Sequence, residues 1–113
     1  MKWLLVPLLV STLAFAGDKK KEEAKPDPAA VAAGAKLYLE KTCVACHGKD
    51  AKTPIMPDYP RLAGQSAAYA EKQMLDIKSG ARSNGNTAAM KGIMPLVSEA
   101  EIKSLAAYLS SLQ

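Results

Sequence analysis

The sequence is poor in several residue types from which binding sites and cores are commonly built. Its 113 residues include one histidine, two cysteines, one tryptophan and one phenylalanine. The cysteines and the histidine together fall one short of the four such ligands that a structural zinc ion usually takes. The 15 basic and 11 acidic residues give a net charge of +4, which does not indicate nucleic-acid binding when no arginine-rich run accompanies it. The length corresponds to one domain.

The N-terminal segment, residues 1–16, has the pattern of a secretory signal peptide. Lys2 supplies a short positive segment, an apolar run follows, and Ala14-Phe15-Ala16 is a small-x-small cleavage site. The alternative is an uncleaved membrane anchor, but a spanning helix needs roughly 20 apolar residues and this run is shorter. Cleavage would remove the only tryptophan and the only phenylalanine. A small domain with so few large apolar side chains usually needs an additional stabilising element.

The rest of the chain divides into a leader and one domain. Residues 17–28 contain four lysines, four acids and two prolines, with almost nothing to bury. We interpret them as a charged flexible leader or tether. Residues 29–113 form the predicted domain. Within it, residues 48–64 and 81–97 are rich in proline, glycine or asparagine and are predicted to be irregular.

Three helices are predicted between these irregular stretches. The first covers 28–41, with Asp27 as its N-cap and a proline at the first helical position. The second covers about 67–78 and ends before a glycine. The last begins at Ser98, which forms a capping-box pattern with Glu101, and its apolar residues recur on one face. No strand pattern is present, so the predicted fold class is all-α.

A cysteine–histidine motif directly after the first predicted helix contains the residues that could bind a cofactor. Cys43-Val44-Ala45-Cys46-His47 has the C-x-x-C-H spacing of c-type haem attachment. Two cysteines three residues apart can each form a thioether with one vinyl group of haem, and the next residue then offers an imidazole to the iron. A structural disulfide is an alternative in an exported chain. A thioredoxin-type dithiol is another, but it normally occurs in a βαβ unit, of which the sequence gives no sign.

This motif and three others resemble the small bacterial class I cytochromes c, and the resemblance extends from about Ala29 to the end of the chain. The matching segments are Gly34-x-x-Leu37-Tyr38, Cys43-x-x-Cys46-His47-Gly48, Tyr59-Pro60-x-Leu62-Ala63-Gly64-Gln65 and Leu105-Ala106-Ala107-Tyr108-Leu109. The resemblance implies a class I cytochrome c fold in which three to five helices surround one covalent haem and the N- and C-terminal helices cross.

The same resemblance implies roles for three further residues. Gly34 and Tyr108 should lie near the crossing of the first and last helices. The carbonyl of Pro60 should accept a hydrogen bond from the second ring nitrogen of His47. Such a bond fixes the tautomer of the imidazole and makes it a more basic ligand.

The sixth iron ligand should be a methionine, because the chain has no second histidine. Met74 lies on the inner face of a predicted helix and is interpreted as core, and Met56 is expected to pack near the haem without binding it. The resemblance places the ligand eight residues before the N-cap of the last helix, Ser98, which favours Met90. Met94 is the alternative, because a proline follows it as in other class I cytochromes.

The predicted function is a monomeric periplasmic electron carrier, not an enzyme. Its one haem c would cycle between Fe(II) and Fe(III) with His47 and a methionine as axial ligands. Its partners would be redox proteins such as an oxidase, a reductase or a dehydrogenase, and no membrane span would remain after cleavage. The alternatives are a haem enzyme with an open sixth position, or an electron-transfer subunit of a larger complex. Four basic residues are expected to flank the haem: Lys49, Lys52, Arg82 and Lys91.

Overall fold

The computed structural model of the protein describes residues 25–112. The predicted signal peptide, residues 1–16, and most of the predicted leader lie outside the described residues. The described part contains five α-helices, one 3₁₀ turn and no strand, so the all-α prediction is confirmed. The helices are α1 (Pro28–Glu40), α2 (Cys43–His47), α3 (Ala67–Ser79), α4 (Thr87–Ile93) and α5 (Glu99–Ser111), with the 3₁₀ turn at Met94–Leu96.

The three long helices begin where the sequence predicts, because each has a side chain that caps it. Asp27 accepts a hydrogen bond from the backbone amide of Ala29, and Ser66 likewise caps α3. Ser98 and Glu101 form the predicted capping box, in which each side chain accepts a bond from the backbone amide of the other. These bonds satisfy amides that the first turn of a helix leaves without partners.

Helices α1 and α5 cross in close contact, as the resemblance implies. A Cβ added at Gly34 would overlap the backbone carbonyl of Ser104 and lie 2.6 Å from Cβ of Tyr108. Only glycine allows the two backbones to approach this closely. Beside the crossing, the rings of Tyr38 and Tyr108 pack with their centroids 5.6 Å apart. This crossing forms the scaffold from which the site is built.

The core lies between α5 and the two long helices that flank it. Tyr38, Ile102 and Leu105 are almost completely buried, and Met94 and Val97 from the segment before α5 join them. Residues 48–64 contain no helix or strand, as predicted. None of the helices in residues 25–112 has both the length and the apolar character that crossing a bilayer requires.

The prediction that residues 81–97 are irregular is wrong, because this stretch contains α4 and the 3₁₀ turn. Its helix is short, and Asn86, at the N-cap position, makes no side-chain capping bond. A seven-residue helix without a cap has little stability of its own and depends on packing against the rest of the protein. The glycine and the proline in this stretch also point away from a helix. The short helix α2 was not predicted either.

Candidate haem site

The C-x-x-C-H motif forms a helix of its own, α2, which presents its three functional side chains to one cavity. Thr42, just before it, has a left-handed backbone (φ 64°) and turns the chain sharply between α1 and α2. Cys43 and Cys46 lie three residues apart, which places them on one helix face. Both are free thiols and half-buried, and both line the cavity together with His47. Burial raises the pKa of the Cys43 thiol.

His47 is buried and oriented by the loop that follows. Its Nδ1 atom lies 3.2 Å from the carbonyl oxygen of Pro60, so Nδ1–H donates there and Nε2 keeps a free lone pair. Burial lowers the pKa of His47, and the bond to Pro60 opposes this shift. The neutral imidazole that results is the form that binds a metal. The contact with Pro60 is the one that the resemblance implies.

The loop that carries Pro60 is fixed by backbone hydrogen bonds. Ala51 is completely buried, and its carbonyl accepts bonds from the amides of Leu62, at 2.9 Å, and Ala63, at 3.1 Å. The amide of Ile55 donates to the carbonyl of Cys46 at 3.0 Å, which ties the loop to α2. The hydroxyl of Tyr38, in α1, donates to the carbonyl of Gly48 at 2.6 Å. Sequence reasoning missed this role of Tyr38, and no local pattern would have revealed it.

The cavity in front of α2 has a volume of ≈ 400 Å³ and a mainly apolar lining. Its far wall comes from α3, α4 and α5 and includes Ile77, Leu105 and Leu109. Binding sites for large organic groups are typically concave, apolar and supplied with a few polar side chains. Two thiols, one imidazole nitrogen and apolar walls are the set of groups that a covalently attached haem requires. The residues present therefore fit a haem c.

Three of the four methionines in the described residues line this cavity. They are Met74 from α3, Met90 from α4 and Met94 from the 3₁₀ turn. Met94 is 2% exposed and belongs to the core, whereas Met90 is half-buried at the cavity wall. Met56 is 46% exposed and lies outside the lining, so the structure does not support the expectation that it packs near the haem.

Polar residues surround the cavity. Of the four basic residues expected to flank the haem, Arg82 contributes to the lining, and it donates to the Gln73 side chain at 2.9 Å. The three lysines are exposed and lie outside the lining. Arg61 and Asp58 also line the cavity and were missed from the sequence, because a loop rich in proline gives no periodic pattern from which side-chain directions can be inferred.

Comparison with known proteins identifies the family. The family model for cytochrome c matches residues 31–113. The chain belongs to the cytochrome c family. A cytochrome c-554(548) from Halomonas halodenitrificans is 44% identical over 70 residues, which cover 62% of this chain and 83% of that protein. A thiosulfate dehydrogenase electron acceptor from Stutzerimonas stutzeri is 37% identical over 107 residues, which cover 93% of this chain and 44% of that protein.

A solved structure supports the same assignment. Reduced cytochrome c4 from Pseudomonas stutzeri superposes with a TM-score of 0.69 at 33% identity, over 78% of this chain and 50% of that one. The chain thus spans about half the length of this protein and of the electron acceptor. The cofactor of the cytochrome c family is covalent haem c, and the family function is haem-based electron transfer between redox partners. The predicted class I cytochrome c fold is confirmed.

Proposed function

We propose that this chain is a periplasmic single-electron carrier whose haem c is attached to Cys43 and Cys46, with His47 and Met90 as axial ligands. The bound haem supplies an iron that changes between Fe(II) and Fe(III). One observation carries the proposal: both thiols, the free Nε2 of a buried neutral histidine and a methionine thioether face a single apolar cavity. His47 and Met90 would hold the iron, Cys43 and Cys46 would hold the porphyrin covalently, and the apolar lining would bury it.

The assignment of His47 follows from its hydrogen bond. Because Nδ1–H donates to Pro60, the ring cannot rotate freely, and Nε2 is the nitrogen available to the iron. The carbonyl oxygen also makes the ligand more basic, which favours Fe(III) relative to a ring without this partner. The loop bonds around Ala51 keep the carbonyl of Pro60 in place.

Met90 is preferred to Met94 on packing as well as spacing. Met94 also lines the cavity, but it is 2% exposed and packed in the core, so turning its thioether toward an iron would leave part of its core position unfilled. Met90 is half-buried on α4, at the cavity wall, so its thioether can turn toward the haem without such a loss. It also lies eight residues before the N-cap Ser98, the separation that the resemblance implies. A thioether ligand raises the reduction potential of haem iron.

The N-terminal segment and the basic surface residues bear on where the protein acts and which partners it meets. The pattern of residues 1–16 supports secretion, and haem attachment of this type is consistent with an exported chain. The partner would be another redox protein, of the oxidase, reductase or dehydrogenase class. Arg82, at the cavity, with the exposed Lys49, Lys52 and Lys91, would give the surface a basic character that steers an acidic partner. A steep loss of reaction rate with rising salt would support such steering, and a flat dependence would exclude it.

The experiment is an absorbance study of protein produced in an exporting host that has haem-attachment machinery. We expect haem to remain with the chain after denaturing extraction, and the native ferrous protein to bind carbon monoxide slowly or not at all, since both axial sites are filled. Loss of the haem on extraction would contradict covalent attachment. Rapid carbon monoxide binding would contradict methionine ligation and favour a haem enzyme with an open site.

A further inference from the structure

Two lysines, one in α3 and one just after α1, donate hydrogen bonds to the backbone just after α4. Lys78, in the last turn of α3, donates to the carbonyl oxygen of Met94 at 3.4 Å and to that of Val97. Lys41, immediately after α1, donates to the carbonyl oxygen of Leu96 at 2.9 Å. Within four consecutive residues, three carbonyls are therefore bound by ammonium groups. These bonds connect the methionine-bearing segment to both neighbouring long helices.

The carbonyls concerned lie at the C-terminal end of a continuous helical run. The amide of Met94 donates to the carbonyl of Met90, and the amide of Val97 donates to that of Met94. Helical geometry ends there, because Val97 is extended. The last carbonyls of a helical run generally lack partners within it and carry partial negative charge. That of Met94 has one partner, the Val97 amide, and accepts the bond from Lys78 as its second. A cation placed at this end satisfies them and is favoured by the helix dipole.

Lys78 and Lys41 differ in their surroundings. Lys41 also lies 3.6 Å from the carboxylate of Glu101, so its charge is shared between a carboxylate and a carbonyl. Within residues 25–112, Lys78 has no carboxylate within ion-pair distance, and the residues whose carbonyls it binds, Met94 and Val97, are 2% and 1% exposed. Its ammonium group is thus committed to the backbone of the methionine segment.

The opposite end of α4 is tied to the rest of the protein by an exposed side-chain hydrogen bond. Asn86 is at the N-cap position but makes no side-chain capping bond. Its side-chain amide instead donates to the carboxylate of Asp58 at 3.3 Å. Gly92, inside the helix, reduces its intrinsic stability. The position of α4, and with it that of Met90, therefore depends strongly on the bonds at the C-terminal end.

We propose that Lys78 is a positioning residue for the sixth iron ligand. Its ammonium group fixes the end of the run from α4 through the 3₁₀ turn and so holds the Met90 thioether at the cavity wall. This inference rests on the proposed function, in which Met90 binds the iron. Without the ammonium group, the segment would open more often and the thioether would leave the iron more often. The His47 side would be unaffected, because no bond of Lys78 reaches it.

The test measures how fast added imidazole replaces the methionine in the ferric holoprotein, at imidazole concentrations high enough that methionine dissociation limits the rate. In Lys78→Met, which keeps the apolar stem and removes the donors, we expect an increase of about tenfold, the factor expected for loss of a hydrogen bond from a charged donor. Lys78→Gln, which keeps a neutral donor, should show a smaller increase and serves if the first variant does not fold.

Two control variants separate positioning from general effects. Lys72→Met makes the same charge change on the exposed face of α3, where Lys72 pairs with Asp76 at 2.7 Å. Asp27→Ala removes the cap of α1 far from the methionine segment and lowers global stability. Both should exchange ligand at the wild-type rate. Equal rates in Lys78→Met and wild type, or the same acceleration in Asp27→Ala, would overturn the positioning role.

The design also distinguishes this inference from the proposed ligation. A wild-type ferric spectrum without the weak far-red band of sulfur–iron bonding would contradict methionine ligation itself and the inference with it. A wild-type spectrum with that band, combined with equal exchange rates in Lys78→Met and Lys72→Met, would overturn only the role of Lys78.

Discussion

The two sides of the haem cavity are built differently. On the His47 side, the loop from residue 48 to residue 64 is held by backbone hydrogen bonds to α2 and to itself, and His47 is 5% exposed. On the methionine side, the seven-residue helix α4 has no side-chain capping bond, and Met90 is half-buried. Lysine side chains from neighbouring helices, among them Lys78, hold its C-terminal end. The His47 loop is therefore held largely by backbone bonds, with added bonds from the side chains of Tyr38 and Asp50, whereas the end of the methionine segment is held by lysine side chains.

This difference predicts how the site should respond to change. Backbone bonds in the loop do not depend on side-chain identity, so its exposed positions should tolerate substitution, whereas Gly48, where an added Cβ would meet backbone, and the completely buried Ala51 should not. The methionine side depends on individual side chains and should lose its ligand first under stress, since weakly anchored segments open most readily. Both sides of the cavity are supported by the crossing of α1 and α5, so substitutions at this crossing should reduce stability most.

The largest effect should come from Gly34→Ala at that crossing. The added methyl group would overlap the backbone carbonyl of Ser104, and backbone cannot yield as a flexible side chain can. We expect the free energy of unfolding to fall by about 3 kcal/mol or more, measured by denaturant unfolding of the holoprotein. The matched control is Gly92→Ala in α4, where nothing lies within 4 Å of the added methyl. It should be neutral or slightly stabilising, and a loss comparable to that of Gly34→Ala would contradict the close approach.

The next largest effect should come from Met94→Ala on the methionine side. Met94 is buried in the core, so its truncation leaves a cavity and should cost about 2–5 kcal/mol of unfolding free energy. The comparison variant is Met56→Ala, because Met56 is 46% exposed and outside the core. Its cost should be well under 1 kcal/mol. Similar losses in the two variants would mean that Met94 is not a core residue.

A smaller effect is expected from Tyr38→Phe, which tests the His47 side. The substitution leaves the carbonyl of Gly48 without the hydroxyl that donates to it at 2.6 Å. Loss of about 1–2 kcal/mol of unfolding free energy should follow, because the acceptor is left unsatisfied. In Tyr108→Phe the lost hydroxyl makes no hydrogen bond within residues 25–112, so this control should change stability little. The far-red band should persist in both, and its loss in Tyr38→Phe would contradict the independence of the two sides.

The smallest effect concerns pH and the cap of α5. Hydrogen bonding to the backbone amide of Ser98 and then the nearby Lys41 charge lower the pKa of Glu101. Because the pKa of Glu101 is lower in the folded state, this contribution is fully present above the pKa of the unfolded chain and is lost as pH falls through the lower pKa of the folded state. Glu101→Gln should therefore flatten the acid decline of the melting temperature. Glu99→Gln, in the same helical turn, should leave that decline unchanged, and equal slopes in both variants would contradict the role of the cap.

Much of this organisation could be predicted from sequence because it is local. The caps at Asp27, Ser66 and Ser98 mark the helix starts, and the spacing of Cys43, Cys46 and His47 marks the site. The short α4 could not be predicted, because a seven-residue helix takes its stability from packing that no local pattern encodes. The bonds of Lys78 and Tyr38 join residues ten or more positions apart, so they too were visible only in the structure.

The most direct test of the central claim compares the ferric spectra of Met90→Ala and Met94→Ala under native conditions. If Met90 binds the iron opposite His47, the far-red sulfur–iron band disappears in Met90→Ala and persists in Met94→Ala, although Met94→Ala is the less stable core variant. The opposite pattern would show that Met94 is the ligand. Persistence of the band in both variants would contradict ligation by this segment altogether.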